Sequence, residues 1–138
     1  MGDVKRKFAT ILATDCVGFS KHMLEDEQST FESLNACREI IDSLIEQHGG
    51  RIFHTAGDSV LADFESPIET VNCAIKFQEA IQERNETISD EDPRRKLLWR
   101  IGIHSDDVIF EKDNVYGNGV NIAARLEAQC APGQILVS

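Results

Sequence analysis

The stretch Arg51-Ile52-Phe53-His54-Thr55-Ala56-Gly57-Asp58-Ser59-Val60-Leu61-Ala62-Asp63-Phe64 decides the fold. Two β-prone runs flank Ala56-Gly57-Asp58, and a Gly-Asp corner between such runs predicts a hairpin. Immediately upstream, Gly49-Gly50 closes a helical pattern in which Phe31, Leu34, Ile41, Leu44, Ile45 and His48 recur at helical intervals. Ser29 and Glu32 have capping-box spacing at its start. Further back, the apolar run at residues 8–14 suits a strand buried on both faces, and it ends in Asp15-Cys16-Val17-Gly18-Phe19-Ser20, where glycine permits a tight turn.

Downstream of the hairpin, Ser66-Pro67-Ile68-Glu69 opens a second helix, with Ser66 as N-cap and Pro67 at the first helical position. Val71, Ala74, Ile75 and Ile81 mark its inner stripe. Residues 83–96 read as a polar, mixed-charge connection that is simply solvated. Residues 98–104 predict a strand, with residues 107–110 as its hairpin partner. Tyr116-Gly117-Asn118-Gly119 leads into a third helix over residues 120–129, and residues 134–137 begin another strand. The order βαββαβ, then β, α and β, predicts an α+β fold: a ferredoxin-like antiparallel sheet with helices packed on one face. One domain over residues 1–138 is expected.

Composition agrees with a globular chain. Of 138 residues, 41% are hydrophobic, 28% charged and only 3 are proline, which excludes collagen-like, low-complexity and wholly disordered classes. No run approaches the roughly 18 consecutive apolar residues of a membrane span. The basic start from Met1 to Lys7 lacks an export-type cleavage region, so a cytoplasmic location is expected. With 14 Lys and Arg against 24 Asp and Glu, the net charge of −10 argues against nucleic acid as a partner. Cys16, Cys37, Cys73 and Cys130 form no CxxC pair and are expected to be buried thiols.

Two constellations point to chemistry. Asp15 ends a buried strand and Asp58 tips the hairpin; in a ferredoxin-like sheet the first and third strands are neighbours, which brings the two carboxylates to one edge. Unpaired carboxylates at close range repel unless a cation lies between them, and such hard oxygen ligands suit Mg²⁺ or Mn²⁺ beside a phosphate substrate. The turn Val17-Gly18-Phe19-Ser20 offers backbone N–H groups to a phosphate. Taken singly, each aspartate is more often a turn residue. On the third helix, Asn121 and Arg125 share one face, and an amide with a guanidinium suits ribose and a charge-dispersed phosphoryl transition state. For an isolated pair of this kind, a surface arginine bound to Glu127 or to the loop acids is the more common arrangement.

Five ordered blocks carry a resemblance: residues 15–20, His48-Gly49-Gly50-Arg51-Ile52, Thr55-Ala56-Gly57-Asp58, Arg100-Ile101-Gly102-Ile103-His104, and residues 116–127 with Val120-Asn121-Ile122-Ala123-Ala124-Arg125-Leu126-Glu127. Together they resemble the catalytic domain of class III adenylyl and guanylyl cyclases over nearly the whole chain. The resemblance implies a head-to-tail homodimer that converts a nucleoside triphosphate, ATP ahead of GTP, to the 3′,5′-cyclic monophosphate and pyrophosphate with two Mg²⁺ or Mn²⁺ ions per site. It makes Asp15 and Asp58 the metal ligands, with the Cys16 backbone, and the turn from Val17 through Gly18 and Phe19 to Ser20 the triphosphate contact. Asn121 is then the ribose-positioning residue and Arg125 the transition-state residue, both supplied across the dimer interface.

Departures accompany it. His54 stands where adenylyl cyclases usually carry a base-reading Lys, Asn114 where they carry Asp or Thr, and Asp106 where a turn Gly is common. Neutral His54 and Asn114 still offer a donor and an acceptor to a base. The family also continues past a point equivalent to Ser138 with more sheet, including a Lys that contacts the triphosphate. A second reading therefore stands beside the enzyme: a cyclase-like module that binds nucleotide or dimerises and regulates a partner without turnover.

Overall fold

The computed structural model describes residues 4–138; the first three residues of the basic start lie outside the described residues. The elements in order are β1 (Val4–Cys16), α1 (Phe19–Glu25), α2 (Glu27–Gln47), β2 (Arg51–Ala56), β3 (Ser59–Phe64), α3 (Pro67–Glu86), β4 (Trp99–Glu111), β5 (Asn114–Tyr116), α4 (Asn118–Gln129) and β6 (Ile135–Val137). The strands form one sheet in the order β2-β3-β1-β4-β5, antiparallel throughout, with the short β6 added parallel to β4. The βαββαβ order and the β1–β3 adjacency agree with the ferredoxin-like expectation.

Alternation along β1 and β4 divides the core in two. Leu12 and Cys16, opposite Ile103 and Trp99, face α2 and α3 together with Val60, Ala62 and Phe64 of β3. Phe77 of α3 meets Trp99 edge-on, with ring centroids 6.1 Å apart. Ala9, Ile11 and Ala13 face the other way, against Val108, Val115 and Ala123. Helices on one face therefore holds for the two core helices, while α4 lies against the opposite face. Gly102 explains how α4 gets there. It stands opposite Ala13, and a Cβ on it would fall 2.3 Å from the backbone N of Glu127 and 2.5 Å from the carbonyl O of Ala123.

Several local expectations are corrected. The turn after Asp15 is brief, and residues 19–25 form the helix α1, which starts where Gly18 takes φ +64°. The cap of α2 is Asp26, whose side chain accepts from the Ser29 N–H, rather than a Ser29–Glu32 box. Helix α3 begins as predicted, with Ser66 accepting from the Glu69 N–H, but runs four residues into the polar connection. The predicted hairpin between residues 98–104 and 107–110 does not exist. Residues 99–111 are one strand, paired with β1 from Cys16↔Trp99 to Val4↔Glu111 without a break, so Asp106 sits in a strand and not in a turn; the hairpin partner of β4 is β5. His104 and Asp106, two apart, bond to each other at 3.2 Å along the strand.

The sheet curls until its two ends meet. Arg51 of β2 donates to the carbonyl of Asp113, between β4 and β5, at 2.7 Å, although β2 and β5 are the extremes of the strand order.

Gly102→Ala should lower the unfolding free energy by about 3 kcal/mol or more, because the clash is with helix backbone that cannot rotate away. Denaturant unfolding measures it; a loss below about 1 kcal/mol, within ordinary glycine-to-alanine effects, would show that α4 does not pack this closely.

Candidate active site

The site lies where β1 ends and β3 begins. These strands are antiparallel, with Thr14 opposite Val60, so the C-terminal end of β1 meets the β2–β3 turn. Asp58 in that turn accepts a 2.8 Å hydrogen bond at Oδ2 from the backbone N–H of Cys16, the residue after Asp15. The two aspartates predicted to converge thus stand at the same end of the sheet. Burial pushes the Asp58 carboxyl up; the N–H groups of Cys16 and Asp58 oppose that, and the Asp15 charge adds to the rise.

Asp15 points to the α4 face and meets its cross-strand partner Arg100, whose Nε donates to Oδ1 at 3.0 Å and whose Nη2 donates to Oδ2 at 2.7 Å. The same guanidinium lies 3.3 Å from Glu127 of α4 and donates to the Ala128 carbonyl at 3.1 Å. Neither Arg100 nor Glu127 was among the expected site residues. A charged residue inside the apolar run Leu98-Trp99-Arg100-Ile101 was the available signal. Glu127, largely buried, has its carboxyl pushed up to about 7 by burial and by the Asp15 charge, with Arg100 opposing. Arg100 lies closer to Asp15, so Glu127 receives the weaker share of its charge.

Three carboxylates and one guanidinium therefore share one end of the sheet. That surplus of hard oxygen donors suits a divalent cation. The Cys16 thiol does not: burial, then the Asp58 charge, push it up to about 12, so it stays protonated and only its backbone is available to a ligand. Among the described residues no group of three or more His, Cys, Asp or Glu side chains is arranged to hold a metal ion. Val17 is pinned by its N–H to the Leu98 carbonyl at 2.7 Å, and after Gly18 the N–H groups of Phe19 and Ser20 begin α1, where they have no partner within the helix.

The other predicted residues lie elsewhere. Asn121 and Arg125 are exposed on α4, and among the described residues neither side chain has a hydrogen-bond or ion-pair partner. The common alternative for Arg125, a bond to Glu127, does not occur; Glu127 turns inward to Arg100. His54 is exposed on β2, just past an irregularity in the β2–β3 register. Asn114 opens β5, its Oδ1 accepting from the Val115 N–H and its Nδ2 donating to the Tyr116 hydroxyl at 3.2 Å.

Residues 4–138 match the adenylate and guanylate cyclase catalytic domain. The chain belongs to this family. A Rhizobium meliloti protein named "Putative adenylate cyclase 3" is 38% identical over 136 residues, which are 98% of this chain and 23% of that protein. A solved adenylate/guanylate cyclase/hydrolase from Silicibacter pomeroyi superposes with a TM-score of 0.87 at 38% identity, covering 98% of this chain and 77% of that one. The guanylyl cyclase Cya2 superposes at 0.86 with 28% identity, covering 100% and 77%. The chain spans 23% and 16% of the first two curated relatives it matches. No helix among the described residues is long and apolar enough to cross a membrane.

Glu127 gives a pH dependence with a definite sign. A carboxyl that binds its proton more tightly folded than unfolded favours the folded state at low pH, and that advantage is lost as pH climbs from 4.5 to about 7. In metal-free protein, the unfolding free energy of wild type relative to Glu127→Gln should therefore fall across that window. A difference that stays flat in parallel urea titrations would contradict the buried, acid-crowded environment of Glu127.

Proposed function

We propose that this chain is a nucleotide cyclase that turns a nucleoside triphosphate, ATP ahead of GTP, into its 3′,5′-cyclic monophosphate and pyrophosphate at a site completed by a second copy. One observation carries the reading. The acid end of the sheet, at Asp15 and Asp58, is hydrogen-bonded within its own chain, whereas Asn121 and Arg125 on the exposed face of α4 have no side-chain partner among the described residues. Family membership over residues 4–138 and the relative named as an adenylate cyclase support it.

In this mechanism Asp15 and Asp58, with the Cys16 backbone, hold two Mg²⁺ or Mn²⁺ ions. Bound there, the ions supply charge neutralisation of the triphosphate and a lowered pKa at the attacking hydroxyl. The backbone N–H groups of Gly18, Phe19 and Ser20 receive the phosphates, with Val17 anchoring the turn through its bond to the Leu98 carbonyl. Asn121 of the second copy orients the ribose so that its 3′ oxygen lies in line with the α-phosphorus. As the 3′ oxygen bonds to that phosphorus and loses its proton to water, the bond to the pyrophosphate oxygen breaks. Arg125 of the second copy meets the charge that spreads over the phosphoryl oxygens, the task for which a planar guanidinium is suited. His54 and Asn114 face the base; His54 can donate or accept through its ring nitrogens, and Asn114 brings both an amide donor and a carbonyl acceptor.

Asp58→Asn should reduce Mn²⁺-dependent cyclic nucleotide formation by at least about a thousandfold, a loss typical of a principal charge-stabilising group, with the fold intact by circular dichroism. Unchanged turnover would remove the metal assignment. Mixing Asp58→Asn chains with Arg125→Ala chains should restore part of the activity, since a mixed dimer keeps one complete site. Confirmed mixed dimers without recovery would contradict a shared site. A wild-type chain that binds ATP or GTP but yields no product with either ion would favour the regulatory module instead.

A further inference from the structure

We propose that a cavity between α2 and the end of α3, closed by residues 93–94, binds a small oxyanion: a phosphate or carboxylate group. None of its lining residues belongs to the candidate active site. Ser29, Glu32 and Ser33 line it from α2, Arg84 from α3, and Pro93 and Arg94 from the loop that follows. Its volume is about 240 Å³. That is below the roughly 300–1,000 Å³ of pockets for drug-sized ligands, yet several times the roughly 30 Å³ share of one water. Two buried polar atoms of this lining, Arg84 Nη2 and Ser29 Oγ, have no hydrogen-bond partner among the described residues. Buried donors are nearly always satisfied, and a charged one left without an acceptor is the most costly kind.

The charge of Arg84 is also uncompensated. Its Nη1 donates to neutral acceptors, Asn85 Oδ1 at 3.0 Å and the Arg95 carbonyl at 2.9 Å. The neighbouring acids are taken: Asp92 accepts from both Nε and Nη2 of Arg94, and Glu25 pairs with Arg95. Arg94 therefore reaches the cavity already neutralised. Ser33 adds a third donor, because its Oγ accepts from the Arg95 N–H at 3.0 Å and keeps its own proton to give. Ser33 thus holds the N–H of Arg95 and Arg84 its carbonyl, so the loop is tied to both helices before any ligand arrives, and little ordering cost remains. A guanidinium and two hydroxyls call for an acceptor-rich anion, and the planar guanidinium matches phosphate and carboxylate oxygens. Glu32 is the opposing charge. Its carboxylate is exposed, accepts from Gln28 Nε2 at 3.2 Å, and limits the affinity.

The test is a titration of sodium phosphate into metal-free, ¹⁵N-labelled protein at constant ionic strength, followed by amide chemical shifts. The amides of Ser29, Ser33, Arg94 and Arg95 should shift together, half-saturating near about 1 mM, as a few charge-assisted hydrogen bonds allow. Arg84→Gln should weaken binding about tenfold or more, and Ser29→Ala about threefold, each by loss of a donor. Glu32→Gln, which removes the opposing charge, should tighten it about threefold. Ser29→Ala and Glu32→Gln break no bond that holds the loop, so they decide the matter if Arg84→Gln fails to fold. Sodium acetate separates the two sources: acetate that moves the same amides admits carboxylates, and acetate that moves none restricts the site to phosphoryl groups. No shift at these amides with either ion overturns the proposal. So do shifts confined to Gly18, Phe19 and Ser20, or wild-type affinity in both Ser29→Ala and Glu32→Gln.

Discussion

Strand β1 is hydrogen-bonded along both edges, to β3 on one side and to β4 on the other, and that double pairing positions everything else. It carries the β2–β3 turn, and with it Asp58, to the end of β1 where Asp15 stands. On its other edge it sets Arg100 directly across from Asp15. A shift of one residue against β4 would send every inward side chain to the wrong face. It would bury Asp15 among Ile41, Phe77 and Trp99, where no guanidinium could reach it. Burial of the two apolar faces and placement of the site charges are therefore a single constraint.

The same register has a second consequence on the far side of the sheet. Gly102 stands opposite Ala13 and leaves no side chain between the strand and α4, so the helix backbone sits almost on the sheet. That approach delivers Glu127 to Arg100 and turns the other side of α4 outward, with Asn121 and Arg125 on it. The acid-rich end and the exposed amide and guanidinium are thus fixed to one rigid frame without touching. For a chain of net charge −10, Arg100 is the local cation that lets three carboxylates coexist at one end of the sheet.

Much of this was legible in the sequence. The Gly57-Asp58 corner, the Ser66-Pro67 helix start and the glycine stop at Gly49 are local signals, and each stands where local chemistry predicts. What the sequence hid is long-range. Residues 98–104 and 107–110 look like two strands because Ser105 and Asp106 between them are polar; they form one because β1 supplies partners along its whole length, and pairing outweighs propensity. Helix α1 was hidden behind a glycine that initiates rather than ends structure. The aspartate pair could be proposed from topology alone, but the link from Arg100 to Glu127 could not, since it depends on a register and a helix docking that no spacing encodes.

On the proposed function, the end of β1 and the β2–β3 turn form one cation-binding centre. Amide resonances of ¹⁵N-labelled protein during a substoichiometric Mn²⁺ titration test it most directly, because paramagnetic broadening falls off steeply with distance from the ion. The amides of Cys16, Val17, Asp58 and Ser59 should broaden first and together, ahead of the acidic loop at residues 90–92. Broadening that begins in that loop, or that reaches residues 15–17 without residues 58–59, would contradict it.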